Sequence, residues 1–197
     1  MRLDSAAWPF VGGALTLALV LGAAVSWVPA VPFLVLAVLF AFFFRDPERR
    51  VPECVNEVLS PADGRVLFAG PAMKEVAPPG EWRQISIFLS PLDVHVNRVP
   101  VTGRVTRVTF KSGRFLPAYH YDSAVANERS EIWIDHDGQP IVARQIVGIL
   151  ARRVVCRLDE GDRVRAGDRL GIMKFGSRMD VFVPAIDPKS NCVPSAE

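Results

Sequence analysis

The sequence predicts a mainly β fold, a compact barrel or sandwich, preceded by an N-terminal α-helical membrane hairpin. Three observations predict it. Trp8 to Phe44 carries no charged side chain. After Arg50, short apolar and β-branched runs alternate with turn residues, and almost no long helical period appears. Near the end, Glu160 to Gly171 places glycines where a compact β-rich domain would turn its corners.

The apolar segment comes first. A helix crossing hydrocarbon needs about 20 apolar residues, whereas the core of a signal peptide has about 7–15. The uncharged run exceeds one crossing and falls slightly short of two. Trp27-Val28-Pro29-Ala30-Val31-Pro32 supplies a break, because proline removes a donor and disfavours helix in the residue before it. The expectation is two helices, roughly 8–27 and 32–44, the second short enough only to enter the bilayer. Arg45, Arg49 and Arg50 follow, and by the positive-inside rule they hold the next domain on the cytoplasmic face of the inner (cell) membrane. The alternative is a pair of buried core helices. It is disfavoured because no polar residues recur along the run, as an amphipathic helix requires.

The strand-like runs are Gly64–Ala69, Gln84–Leu89, Gly103–Phe110 and Glu131–Asp135, with Asp137-Gly138 as a hairpin turn. The run Gly161-Asp162-Arg163-Val164-Arg165-Ala166-Gly167-Asp168-Arg169-Leu170-Gly171 resembles the hammerhead turn of biotinyl and lipoyl domains. That turn specifies a shape and no function. The expected organisation is a hairpin over 1–44, a β-rich catalytic domain over 45–184 and an irregular tail over 185–197. Over Val183–Glu197, Pro184, Pro188 and Pro194 leave no strand pattern. A net charge of +2, with no block of Lys or Arg, excludes a nucleic-acid partner. Cys54, Cys156 and Cys192 are odd in number and widely spaced, which argues against a disulfide framework or zinc site and for a reducing compartment. His95, His120 and His136 form neither HxH nor HExxH, so no metal is expected.

Gly176-Ser177 carries the chemistry. A serine hydroxyl can attack the carbonyl of the residue before it, turning an amide into an ester. Glycine there offers least hindrance and tolerates the backbone such an attack needs. Elimination from the ester leaves dehydroalanine, which hydrolyses to a pyruvoyl group and ammonia. That carbonyl can form a Schiff base with a substrate amine and act as an electron sink for decarboxylation. Taken alone, however, Gly-Ser pairs are common in turns. On the residues alone, Asp63 before Gly64 reads first as an ordinary turn former, and His95 followed by Val96 reads first as a satisfied core histidine.

Phe43-Phe44-Arg45-Asp46-Pro47-Glu48-Arg49, Ser60-Pro61-Ala62-Asp63-Gly64, Phe88-Leu89-Ser90-Pro91-Leu92-Asp93-Val94-His95-Val96-Asn97-Arg98-Val99-Pro100 and Asn127-Glu128-Arg129 precede Phe175-Gly176-Ser177 in that order. Together they resemble the short, membrane-associated form of phosphatidylserine decarboxylase, from about Phe42 to Pro184. The resemblance implies cleavage between Gly176 and Ser177 into a β chain of 1–176 and an α chain of 177–197. The α chain would begin with a covalent pyruvoyl cofactor derived from Ser177. It also implies that phosphatidylserine in the membrane is converted to phosphatidylethanolamine and CO₂. Ser177, His95 and Asp63 are the implied catalytic set: nucleophile, base and orienting carboxylate. A second histidine found three positions on in longer members is Arg98 here, so that role is not carried over. Asp93 is read as a loop cap. Arg152, Arg153 and Arg114 are candidates for the substrate phosphate, since guanidinium matches its oxygens in paired geometry, or else a solvated strand edge.

Two other readings stay open on the residues alone. Met173-Lys174 could be the modified pair of a biotinyl or lipoyl carrier. The chain could also be an inactive membrane-tethered β scaffold. Whether it forms a homo-oligomer is not legible.

Overall fold

The computed structural model describes residues 2–51, 57–149, 154–174 and 176–185. Among these residues the fold is mainly β behind an N-terminal helical hairpin. A short strand, β1 (Arg2–Leu3), leads through a 3₁₀ turn (Ser5–Ala7) into α1 (Trp8–Ala24), followed by α2 (Trp27–Phe43). With its 3₁₀ turn, α1 gives an apolar helix over Ser5–Ala24, long enough to cross a membrane; α2 is shorter.

The break between the helices lies at Val25-Ser26, earlier than the expected Trp27–Pro32. Pro29 falls in the first turn of α2, where backbone amides have no helical acceptor to lose, and Pro32 is accommodated inside the helix. Both helices expose large apolar side chains, among them Leu19, Val20, Val28 and Val38. A water-soluble surface does not present such a row, and a bilayer accepts it.

The chain leaves α2 through β2 (Arg45–Asp46), which pairs antiparallel with β1. Two sheets follow. The larger is antiparallel and contains β3 (Arg65–Pro71), β4 (Trp82–Leu89), β6 (Gly103–Lys111), β7 (Arg129–His136), β8 (Gln139–Ile146), β10 (Arg163–Val164) and β12 (Ser177–Pro184). Its order is β10-β6-β7-β8-β12-β4-β3. The smaller sheet has the order β5-β11-β9, from β5 (Val96–Arg98), β9 (Val154–Cys156) and β11 (Arg169–Met173). A one-turn helix, α3 (Ser123–Ala126), precedes β7. The turn between β7 and β8 puts both Asp137 and Gly138 at positive φ, as a two-residue hairpin requires.

The main core lies between the sheets. Ile87, Ile132, Ile134, Met179 and Val181 of the large sheet pack with Leu170 and Met173 of the small one. A second cluster joins the hairpin to the domain through Ala7, Val11, Phe43, Phe44, Val94, Val96 and Ile172. Two buried carboxylates lock that junction. Asp46 accepts from Arg98 Nη2 at 2.5 Å and from Arg169 Nε at 2.6 Å. Asp4 accepts from Arg157 Nη2 at 2.6 Å. The hairpin is therefore built into the domain and does not hang from it by a linker.

Candidate active site

β12 is an interior strand. It runs antiparallel to β4 on one side, from Ser177 opposite Leu89 to Pro184 opposite Trp82, and to β8 on the other. Ser177 is its first residue and is fully buried, and its Oγ has no hydrogen-bond partner among the described residues. Gly176, just before it, has a φ of +72°. A side chain at that position would meet no neighbour, so glycine is required by the backbone angle and not by space.

The carbonyl of Gly176 is tightly approached from the far side. A Cβ on Gly148, two residues beyond β8, would stand 2.1 Å from that oxygen. Only glycine at 148 lets the two backbones meet in this way.

His95 is fully buried and precedes β5. Its Nδ1–H donates to the Asp93 carbonyl at 2.9 Å, which leaves Nε2 as the acceptor. That nitrogen accepts the Gly176 N–H at 3.3 Å. The ring also packs against Phe43, the last residue of α2, with centroids 4.2 Å apart. Burial pushes the imidazole pKa down to about 4. The Asp93 carbonyl and carboxylate oppose the shift, and the Arg45 charge adds to it. At neutral pH His95 is uncharged, with a lone pair facing the peptide that precedes Ser177.

The loop that carries His95 is pinned at both ends. Asp93 Oδ2 accepts from Ser90 N at 2.7 Å, the loop-capping role expected of it. Arg45 donates to the carbonyls of Phe42 at 2.9 Å and Leu92 at 2.6 Å. The end of α2 thus grips the loop of the candidate base.

The remaining sequence-derived residues are placed as follows. Asp63 lines a cavity with Val94 and Val96, which flank His95 in the chain, and its carboxylate pairs with Arg49. The Nδ1 position where an orienting carboxylate would bind is taken here by the Asp93 carbonyl. Arg114 is exposed and bridges Asn127 through its backbone. Arg152 and Arg153 lie outside the described residues, as do Cys54, Cys192 and the tail from 186 on. Lys174 places its Nζ 5.0 Å from the ring centroid of Phe10 on α1. His120 is exposed, and His136 Nδ1 lies 2.6 Å from the Thr102 carbonyl. Arg98, where longer relatives carry a histidine, holds Asp46 and the carbonyls of Pro47 and Gly167.

Sequence reasoning missed Phe43 and Gly148. The Phe-Phe-Arg-Asp-Pro run was a signal for the first, although it did not say which side chain the phenyl ring would meet. For Gly148 the only sign was a glycine closing an apolar strand.

The described geometry brings a buried serine hydroxyl and an uncharged imidazole to the same stretch of backbone. A sequence profile of the phosphatidylserine decarboxylase family matches residues 36–196. Proteins named phosphatidylserine decarboxylase proenzyme are similar over most of the chain. The one from Chlorobium phaeobacteroides is 45% identical over 152 residues, 76% of this chain and 70% of that protein. The one from Geobacter metallireducens is 40% identical over 184 residues, 90% and 84% of the two. The one from Nitrosomonas europaea is 39% identical over 178 residues, 90% and 82%. The chain is thus an enzyme of the decarboxylase class. More particularly, it belongs to the phosphatidylserine decarboxylase family.

Proposed function

We propose that this chain is a proenzyme that cuts itself between Gly176 and Ser177 and then decarboxylates phosphatidylserine to phosphatidylethanolamine and CO₂. The observation that carries the reading is the lone pair of an uncharged, buried His95 at the Gly176 amide, next to a buried Ser177 hydroxyl with no partner. In the first step Ser177 Oγ bonds to the Gly176 carbonyl carbon as its proton passes to His95 Nε2, which lets go of the Gly176 N–H. The Ser177 nitrogen takes a proton and leaves, giving an ester. Loss of the Ser177 Cα proton then breaks the Cβ–O bond. Gly176 becomes a carboxylate and residue 177 a dehydroalanine, which water converts to pyruvoyl and ammonia.

The surroundings of residue 177 fit such a group: a buried strand end with a neutral imidazole at the preceding amide. The pyruvoyl carbonyl supplies an electron sink for the bond that releases CO₂. Asp63, in a cavity lined by the two chain neighbours of His95, is assigned to orienting and charge-stabilising that imidazole, once released from Arg49. Arg114, Arg152 and Arg153 are assigned to the substrate phosphate. The hairpin, followed by Arg45, Arg49 and Arg50, keeps the site on the cytoplasmic face of the membrane that holds the substrate. The Glu160–Gly171 segment is taken as a hammerhead-like corner, with Gly161 and Gly167 at positive φ. In a carrier module the modified lysine stands free at a hairpin tip, whereas Lys174 lies over Phe10.

The test is the intact mass of the detergent-solubilised protein under denaturing conditions. Two chains split at Gly176-Ser177, the smaller one lighter by one ammonia than simple hydrolysis gives, are expected. A single uncut chain overturns the reading.

A further inference from the structure

Asn97, two residues after His95, is also fully buried, and both side chains reach from the small sheet toward the large one. His95 meets Gly176, and Asn97 Oδ1 accepts from Gln145 Nε2 at 2.8 Å. Gln145 Oε1 in turn accepts from Ser130 Oγ at 2.9 Å. All three residues of this chain have no exposed surface. Ser130 donates to Gln145 and Gln145 donates to Asn97, so the chain runs one way and ends on the Asn97 Nδ2. That amide has no hydrogen-bond partner among the described residues.

The strand register locates this end. Gln145 stands opposite Met179 on β12, and cross-strand partners share a face. Ser177 and Met179 are two apart, so they share that face as well. The face is the interior one, since Met179 belongs to the main core. Asn97 Nδ2 and Ser177 Oγ are thus two orphans at the same end of the same interior. One has protons and lacks an acceptor; the other has lone pairs and lacks a donor. Leaving a buried polar group unpaired costs about 1–3 kcal/mol, so each favours pairing with the other.

We propose that, as the serine is prepared for attack on Gly176, the two unpaired groups turn to meet: the Asn97 side-chain amide donates a hydrogen bond to Ser177 Oγ and leaves the hydroxyl proton directed toward His95. Asn97 neither gains nor loses a proton. The hydroxyl proton goes to His95 Nε2, which gives up the Gly176 N–H, as the Oγ–C bond forms. Ser130 and Gln145 hold the donor in place. The inference rests on the self-cleavage reading above.

The test follows cleavage of the full chain during cell-free synthesis into lipid nanodiscs, by intact mass over time, for the wild type, Asn97→Leu and Asn97→Asp. Leucine keeps the branching and the heavy-atom count and has no donor. A buried aspartic acid donates while protonated and loses its donor when it ionises. Asn97→Leu is expected to slow cleavage at least tenfold at every pH. Asn97→Asp is expected near the wild-type rate at pH 5.5 and at least tenfold below it at pH 8.5. His95, which titrates near 4, puts no step into that range. Unfolding midpoints in the Ser177→Ala background, where no cut occurs, show whether each variant folds. If Asn97→Leu does not fold, the Asn97→Asp profile still decides. Cleavage of a folded Asn97→Leu within twofold of wild type, or an Asn97→Asp profile parallel to the wild type's, overturns the Asn97 role alone. A wild-type chain that stays whole overturns the self-cleavage reading, and this role with it.

Discussion

His95 sits where a charge is costly and a lone pair is useful, and the same burial sets both properties. Excluding water lowers its pKa from 6.5 to about 4, so the folded protein binds a proton less readily than the unfolded chain. The corresponding stability is fully present above pH 6.5 and is lost as the pH falls toward 4. A shift of this size corresponds to roughly 3 kcal/mol. The unfolding midpoint of the uncut Ser177→Ala protein should therefore drop between pH 7 and 4.5. Adding His95→Asn, which cannot titrate, should flatten most of that slope. An unchanged slope would mean that the imidazole is not held neutral by the fold. Sequence reading named His95 and Ser177 from their motifs, because the chemistry of each is local. It missed Phe43, Gly148 and Asn97, whose partners lie 28 to 52 positions away in the chain and leave no mark on any short period.

At the level of elements, the strands seen in the sequence were those with a clean period of two. β4, β6 and β7 fall where alternation placed them, and Asp137-Gly138 turns β7 into β8. The order of the large sheet was not legible. β12 lies between β4 and β8, and no turn residue records a pairing between Ser177 and Leu89. The two-residue strand β2 was equally invisible, yet it carries the carboxylate that fixes the hairpin to the domain. Asp46 is nearly fully buried and faces two guanidinium groups. Replacing it with Asn leaves Arg98 and Arg169 without their anion, a loss on the order of 3 kcal/mol. Asp46→Asn should lower the unfolding midpoint of the uncut protein, and Asp46→Asn with Arg98→Met should recover part of the loss. A single variant as stable as the wild type would show that the clamp contributes nothing.

For the whole molecule, the hairpin is a structural part of the candidate active site, whatever it does at a membrane. Its last residues cover His95, Val94, Val96 and Ile172, and its first ones bring Asp4 to Arg157. A chain starting at Arg45 exposes that apolar patch and leaves Arg157 unpaired. Such a chain should stay uncut and aggregate even in detergent, whereas Leu19→Ala, on the exposed face of α1, should be cut within twofold of the wild-type rate. A truncated chain that is soluble and fully cut would reduce the hairpin to a tether.

Under the proposed self-cleavage, the interior place of β12 sets how maturation would be timed. The bond between residues 176 and 177 would be attacked only when the strand that follows it is seated between two neighbours, so assembly of the sheet would come before scission. The strand beginning at Ser177 would then be kept by backbone hydrogen bonds to both sides, and it could depart only if the sheet opened. Scission would work as proofreading: a cut chain would already have proved that its middle is in register, and a misfolded copy would stay whole.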